Sequence, residues 1–368
     1  MIIQVDNYSL GYKIVSLSLD KHTRDDLNKE NVEQLYIEEG KCVLLPEDIL
    51  LDVKQECIEE LEKLENYDVL ELWEDGRISI VYDASQEDNI FFVTGSCNSN
   101  CLMCPSPEEM RKGKPINNIS DLIRIAEHIP SDANHLTITG GEPFLSGEAI
   151  FDLIQYIKGK FCDTELLILT NGRVFCIDKY AELMRQSAPE RHLIGIPIHG
   201  SNKEVHDYIT QVKGSFEQTI VGIDKLLLNN INIELRIVVS RLNGNDLFDL
   251  SNLIVSRYKR VRHVSIMAME MTGSAYRNRE EVWIPYSESF KEVGKAIDNL
   301  IDNGITVKLF NYPLCTVDKR YWMLCEKSIS GNKVRFDEKC DECVMKDACG
   351  GVFAGTYLLE KNDINVIQ

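Results

Sequence analysis

Cys97, Cys101 and Cys104 have the spacing and the chemistry to hold a metal cluster. They lie in the run Cys97-Asn98-Ser99-Asn100-Cys101-Leu102-Met103-Cys104, a C-x3-C-x2-C arrangement that follows an apolar, strand-like segment. Three thiolates this close can take three corners of an iron–sulfur cube, whereas a [4Fe–4S] cluster normally takes four cysteines. The fourth iron then stays open to a ligand that is not protein, and an open metal position is where chemistry can happen. A zinc half-site is the plain alternative, but structural zinc takes four protein ligands and no C-x2-C or H-x3-H partner stands nearby in the chain. A disulfide with one cysteine left over is the other alternative, and the compartment argues against it.

The chain has 368 residues, 44% hydrophobic and 27% charged, enough for a large core in one to three domains. It contains no run of 18 apolar residues, so no membrane partner is expected. The N-terminal segment lacks the basic stretch and apolar core of a secretion signal. A cytoplasmic location follows as the expectation, where thiols stay reduced and twelve cysteines read as metal or cluster ligands. The formal net charge of −19 argues against nucleic acid as a partner and favours a neutral or basic one. Acidic residues concentrate early, at Glu56, Glu59, Glu60, Glu62, Glu65, Glu71, Glu74 and Asp75, and read most simply as a solvated face.

Residues 1–85 read as a separate α+β unit, a substrate dock or a cap. Tyr12–Leu19 and Ile78–Tyr82 are predicted strands. A helix is predicted near 46–66 from Ile49, Val53, Cys57, Leu61 and Leu64. Cys42 and Cys57 lie here without metal spacing. From 86 to 305 strands alternate with helices. The strands are predicted at 90–94, 135–139, 166–169, 193–198, 233–239 and 264–269, and a last amphipathic helix carries Phe290, Val293, Ile297, Leu300 and Ile301. Such alternation implies a parallel sheet with right-handed crossovers. Six units make a partial (β/α)6 TIM-like barrel, in which chemistry sits at the C-terminal ends of the strands. The cysteine loop, Gly140-Gly141 and Asn171 all fall at such ends.

The cysteine run resembles the cluster motif of the radical S-adenosylmethionine (radical SAM) enzymes. Thr139-Gly140-Gly141-Glu142-Pro143-Phe144, one βα unit later, resembles the segment with which that family grips the methionine amine of SAM. Thr170-Asn171-Gly172 is similar to a third recurrent segment. The resemblance implies a [4Fe–4S] cluster on Cys97, Cys101 and Cys104, with SAM chelating the fourth iron. It assigns cofactor contacts to Met103, Gly140, Gly141, Glu142, Pro143 and Asn171. Two departures stand out. The residue before the third cysteine is Met103 rather than an aromatic one, and Pro197 in the fourth strand offers no hydroxyl. His199 at that strand's end reads equally as a structural histidine. Glu270, just beyond the sixth strand, is a further candidate for cofactor or substrate contact.

Cys340-Asp341-Glu342-Cys343 and Cys349 form C-x2-C-x5-C before Gly350-Gly351. This resembles the auxiliary-cluster region of SPASM and twitch radical SAM enzymes. The SPASM pattern continues with a further cysteine where this chain has Phe353, so one twitch-like auxiliary [4Fe–4S] cluster over 306–368 is expected. Its fourth ligand comes from Cys315 or Cys325, with Cys315 favoured because it follows a strand and Pro313-Leu314. Zinc in these four cysteines is the alternative. Cys162 and Cys176 read as structural.

Asn311-Tyr312-Pro313-Leu314-Cys315, Ser328-Ile329-Ser330, Met267–Gly273 and Glu234–Val238 resemble the His-Xaa-Ser system radical SAM maturases. The resemblance covers roughly 90–355. It implies hydrogen abstraction by a 5′-deoxyadenosyl radical from a residue of a ribosomal precursor peptide. It also implies an electron donor such as flavodoxin or ferredoxin, and a second radical SAM maturase as partner. The rival expectations are a dehydrogenase or epimerase acting on a small molecule, with Cys325 as a spare hydrogen donor, and a non-catalytic iron–sulfur carrier.

Overall fold

The structure is a computed structural model and describes residues 3–113 and 115–368. Among these, seven strands near the N-terminus close into a small barrel: β1 (Ile3–Asp6), β2 (Lys13–Ser18), β3 (Gln34–Glu38), β4 (Lys41–Leu45), β5 (Ile49–Val53), β6 (Val69–Leu72) and β7 (Arg77–Tyr82). The order is β1-β5-β4-β3-β2-β6-β7, with β7 returning to β1. Every pairing is antiparallel except β2 with β3. Val15, Leu17, Leu35, Leu44, Leu70 and Leu72 fill its core, and Cys42 is buried among them.

The helix predicted near 46–66 is two elements instead. Residues 49–53 form β5, and only Gln55–Leu61 is helical. The spacing of four that joins Ile49 to Val53 fits a strand of period two as well as a helix turn. Pairing with β4 and β1 settles it. Cys57 is buried on the short helix, while Glu56, Glu59, Glu62 and Glu65 face solvent.

The rest of the chain is built on an eight-stranded, all-parallel sheet in sequence order. Its strands are β8 (Asp88–Phe92), β9 (His135–Thr139), β10 (Glu165–Leu169), β11 (His192–Pro197), β12 (Ile233–Val238), β13 (His263–Met267), β14 (Val307–Phe310) and β15 (Cys325–Glu326). The first six are the predicted strands, and the sheet continues through two more. The end strands β8 and β15 do not pair with each other, so the arc stays open. Leu136, Ile138, Ile168, Ile194, Leu235 and Ile266 form a core with the covering helices, so the residues between them point to the inner face. Each of the strands β8 to β13 is followed by helical segments that cover the sheet, for example Ile119–His128 after β8 and Ile150–Lys160 after β9.

The small barrel docks on this sheet through β2, with Val69 of β6 and Tyr82 of β7 in the same core. On β2, Val15 and Leu17 point into the barrel core, while Ile14 joins the core of the parallel sheet. The next outward residue, Ser16, places its hydroxyl 3.1 Å from His128 Nδ1 on the helix after β8. Beyond β15, residues 326–368 are mostly turns, with a two-stranded antiparallel pair of 334–335 and 352–353. Among the described residues no helix is long and apolar enough to cross a membrane.

Candidate active site

The chain leaving β8 continues as a ladder against the Gly-Gly turn after β9. Val93 N–H donates to Thr139 O (2.9 Å), Gly141 N–H to Thr94 O (2.7 Å) and Glu142 N–H to Ser96 O (2.8 Å). A Cβ on Gly140 would lie 2.4 Å from Thr94 O, and one on Gly141 would lie 2.2 Å from Ser96 O. These glycines therefore let backbone meet backbone: they seat the segment that leads directly into Cys97.

Three other elements grip the far side of the loop. Cys97 N–H donates to Arg111 O (3.1 Å), Asn100 N–H to Thr210 O (3.0 Å) and Leu102 N–H to Ile209 O (2.9 Å). Ala275 N–H donates to Cys104 O (3.1 Å), and Asn278 Nδ2 donates to Leu102 O (2.9 Å). Gly273 presses on Pro105, where a Cβ would meet the carbonyl oxygen at 2.2 Å. Ser99 N–H points at Cys97 Sγ, 3.4 Å away. Burial pushes the Cys97 thiol up and the Cys101 thiol up to about 12. A bound metal reverses this preference, because a coordinating thiol is deprotonated outright.

Glu142 is 2% exposed, and burial raises its pKa. Its carboxylate already accepts from Phe144 N (3.1 Å), Thr170 Oγ1 (2.8 Å) and Asn171 N (2.8 Å). A carboxylate offers about four lone-pair directions, so about one remains for a ligand. Asn171 in turn donates through Nδ2 to Asn98 Oδ1 (2.7 Å), and Arg173 reaches Asn98 O and Ser99 Oγ at 3.0 Å each. The Gly-Gly turn, the end of β10 and the cysteine loop are thus one hydrogen-bonded unit.

The other predicted residues fall around it. Pro143 is buried and opens a turn over 143–149. Met103 is buried with Ile209, Met269, Met271, Ala275 and Val282. Glu270 forms an ion pair with Lys333 at 3.7 Å. His199 is buried, its ring centroid 5.3 Å from that of His206, and burial drives its pKa down to about 3. Asn98, Arg111, Arg173, Thr210 and Asn278 were missed, because single polar residues outside a motif carry no spacing signal. The repeated asparagines inside the cysteine run were the one available hint.

Cys315, Cys340, Cys343 and Cys349 line one small cavity of about 20 Å³, together with Pro313, Phe336, Met345 and Ile364. Leu314 N–H and Gly351 N–H both point at Cys349 Sγ, each at 3.4 Å. Burial pushes the Cys315 thiol up to about 11. Cys325 is not among the lining residues: it lies on β15, its thiol 3.8 Å from Tyr321 O. Among the described residues no three His, Cys, Asp or Glu side chains close to the spacing of a single ion.

Residues 91–254 match the profile of the radical SAM superfamily, so the chain carries a radical SAM domain. That superfamily uses a [4Fe–4S] cluster and SAM. The chain is similar to the AdoMet-dependent heme synthase of Methanosarcina barkeri, 26% identical over 158 residues, which are 41% of this chain and 42% of that protein. It is also similar to the antilisterial bacteriocin subtilosin biosynthesis protein AlbA of Bacillus subtilis, 28% identical over 169 residues, 45% of this chain and 36% of that protein. The structure of Streptococcus suis SuiB bound to precursor peptide SuiA shares the fold, with a TM-score of 0.50 at 11% identity, covering 62% of this chain and 49% of that one. Each match spans less than half the length of the relative.

Proposed function

We propose that this chain is a radical SAM maturase that oxidatively modifies a residue of a ribosomal precursor peptide, of the His-Xaa-Ser kind. The observation that carries the radical SAM assignment is the three-cysteine loop, stitched to a Gly-Gly turn at the C-terminal ends of an open parallel sheet. The peptide as substrate is supported by the likeness to a bacteriocin biosynthesis protein and by the second cysteine group. Cys97, Cys101 and Cys104 would hold the SAM-binding cluster, which when bound supplies the reductive cleavage of SAM to the hydrogen-abstracting 5′-deoxyadenosyl radical. Glu142 and Asn171 hold the walls of that site in register through their shared hydrogen bonds. Cys315, Cys340, Cys343 and Cys349 would hold the auxiliary cluster, in the region 306–368, whose strands β14 and β15 complete the parallel sheet. Residues 1–85 would serve as dock or cap. The acidic surface suits a basic or His-rich peptide.

The small-molecule epimerase stays as a second reading on one observation: Cys325 is half-buried, outside the four-cysteine cavity and not in a disulfide, so its thiol would be the hydrogen donor. Anaerobic reconstitution with iron and sulfide, reduction with SAM, and assay of 5′-deoxyadenosine test the class. About eight irons per chain with cleavage is the expected result for two four-iron clusters. No cleavage, with or without a His-x-Ser peptide, overturns it. A peptide product that loses hydrogen, against a small molecule that inverts, separates the two readings.

A further inference from the structure

The short helix Glu108–Arg111 follows the cysteine loop and ends on an arginine whose side chain turns inward. Arg111 is 4% exposed. Its Nη2 donates to Asn100 Oδ1 (2.7 Å) and to Ser274 Oγ (2.9 Å). Its Nε and Nη1 are buried and, among the described residues, have no hydrogen-bond partner. Burying a guanidinium is costly unless an anion compensates it. The carboxylates nearest in sequence feel its charge but make their direct pairs elsewhere, Glu108 with Lys112 and Glu109 with Arg277, so neither caps its free nitrogens. Both are on the surface.

The backbone brings the same residue to the loop, because Arg111 O accepts from Cys97 N–H at 3.1 Å. Asn100 lies between Cys97 and Cys101 in the chain, so one guanidinium nitrogen already grips the loop from within. A [4Fe–4S] core on three thiolates is an anion whose charge grows by one on reduction. Cluster potentials respond to net charge and to hydrogen bonds at sulfur.

We propose that Arg111 is a positioning residue and the internal counter-ion of the cluster held by Cys97, Cys101 and Cys104. Nη2 fixes the loop through Asn100, while Nε and Nη1 supply positive charge and hydrogen bonds to its sulfur side. This rests on the assignment of a cluster to those three cysteines. A cation there favours the reduced, more negative state, so it raises the midpoint potential and eases loading of the electron.

The test is a redox titration of the reconstituted full chain, following the reduced-cluster electron paramagnetic resonance signal in a variant background that lacks the second site, Cys340→Ala. Arg111→Gln is expected to move the midpoint to more negative potential at equal iron content, and Arg111→Lys to recover part of the shift. Ser274→Ala, which removes a partner but keeps the charge, is expected to shift it far less. An unchanged midpoint in a fully loaded Arg111→Gln overturns the counter-ion role. If Arg111→Gln folds but takes up no iron, recovery of iron by Arg111→Lys supports the role of charge. Equal failure of the lysine variant overturns it. A parent chain with no iron at all refutes the cluster assignment instead, which keeps the two failures apart.

Discussion

Gly141→Ala tests whether the Gly-Gly turn works by seating the cysteine loop. The new Cβ would stand 2.2 Å from Ser96 O, 2.6 Å from Gly95 O and 2.6 Å from Ser96 C. All three atoms are backbone, so no side chain can rotate away. An ordinary carbon–oxygen contact is roughly 3.2 Å or more, so the two segments must part by about 1 Å. The ladder bonds at 2.7 and 2.8 Å would then stretch beyond hydrogen-bond range. At about 1 kcal/mol each, their loss amounts to roughly 2 kcal/mol of stability. Ser96 directly precedes Cys97, so the displacement passes straight to a proposed cluster ligand. A misplacement of about 1 Å costs on the order of 100-fold in rate. The assay is 5′-deoxyadenosine formation under reducing conditions, with iron per chain and thermal unfolding measured alongside. Gly159→Ala is the control, since nothing lies within 4 Å of its added Cβ and it sits in the helix Ile150–Lys160. That change is expected to stabilise by about 0.5–1 kcal/mol. Full iron and an unchanged rate in Gly141→Ala would refute the close-packing argument.

Three further outcomes follow from the same geometry. Cys315→Ser is expected to lose about four irons per chain while Cys325→Ser keeps the full complement of about eight, as measured by iron analysis; the reverse would move the fourth ligand onto β15. Glu142→Gln sets an amide donor against one of the donors the carboxylate now accepts, at Phe144, Thr170 or Asn171. It is expected to lower the stability of the chain, without iron or SAM, by about 1–3 kcal/mol, so an unaltered melting temperature would show that the carboxylate acts on the ligand alone. Glu360 is buried, its carboxyl accepts from Tyr286 N–H, and burial reinforced by Asp363 raises its pKa to about 9. The folded state thus keeps a proton that the unfolded state has lost. The associated stability is full below the unfolded carboxylate value of about 4.3 and drains away as pH rises through 9. Glu360→Gln should therefore gain about 1–3 kcal/mol over the parent between pH 5 and pH 9 in denaturant melts, and a gap that does not grow with pH would disprove the buried acid.

The parallel sheet and the cysteine loop were legible because their signals are local. Each strand of β9 to β13 announces itself by an apolar run ending in a turn, and C-x3-C-x2-C needs only eight consecutive residues. The N-terminal unit was less legible. Its closure depends on β1 meeting β5 and β7, strands some 50 and 75 positions away, and no local pattern encodes such a pairing. The stretch around Ile49 and Val53 shows the consequence, since its spacing suits a helix and a strand alike and partners on both sides made it β5.

The sequence by itself determined the class of chemistry: three cysteines in one loop, a Gly-Gly turn one unit later, and five more cysteines toward the C-terminus. Ligand spacing along a loop is a property of the chain, so it survives any packing. Tertiary structure decided what each group meets. It put Cys315 rather than Cys325 in the four-cysteine cavity, because pairing with β14 ties Cys325 to the sheet. It set Gly140 and Gly141 against the backbone of residues 94–96, and it buried Arg111 behind the loop with Asn100 and Ser274. These are meetings of segments up to 163 positions apart, and only the packed fold brings them together.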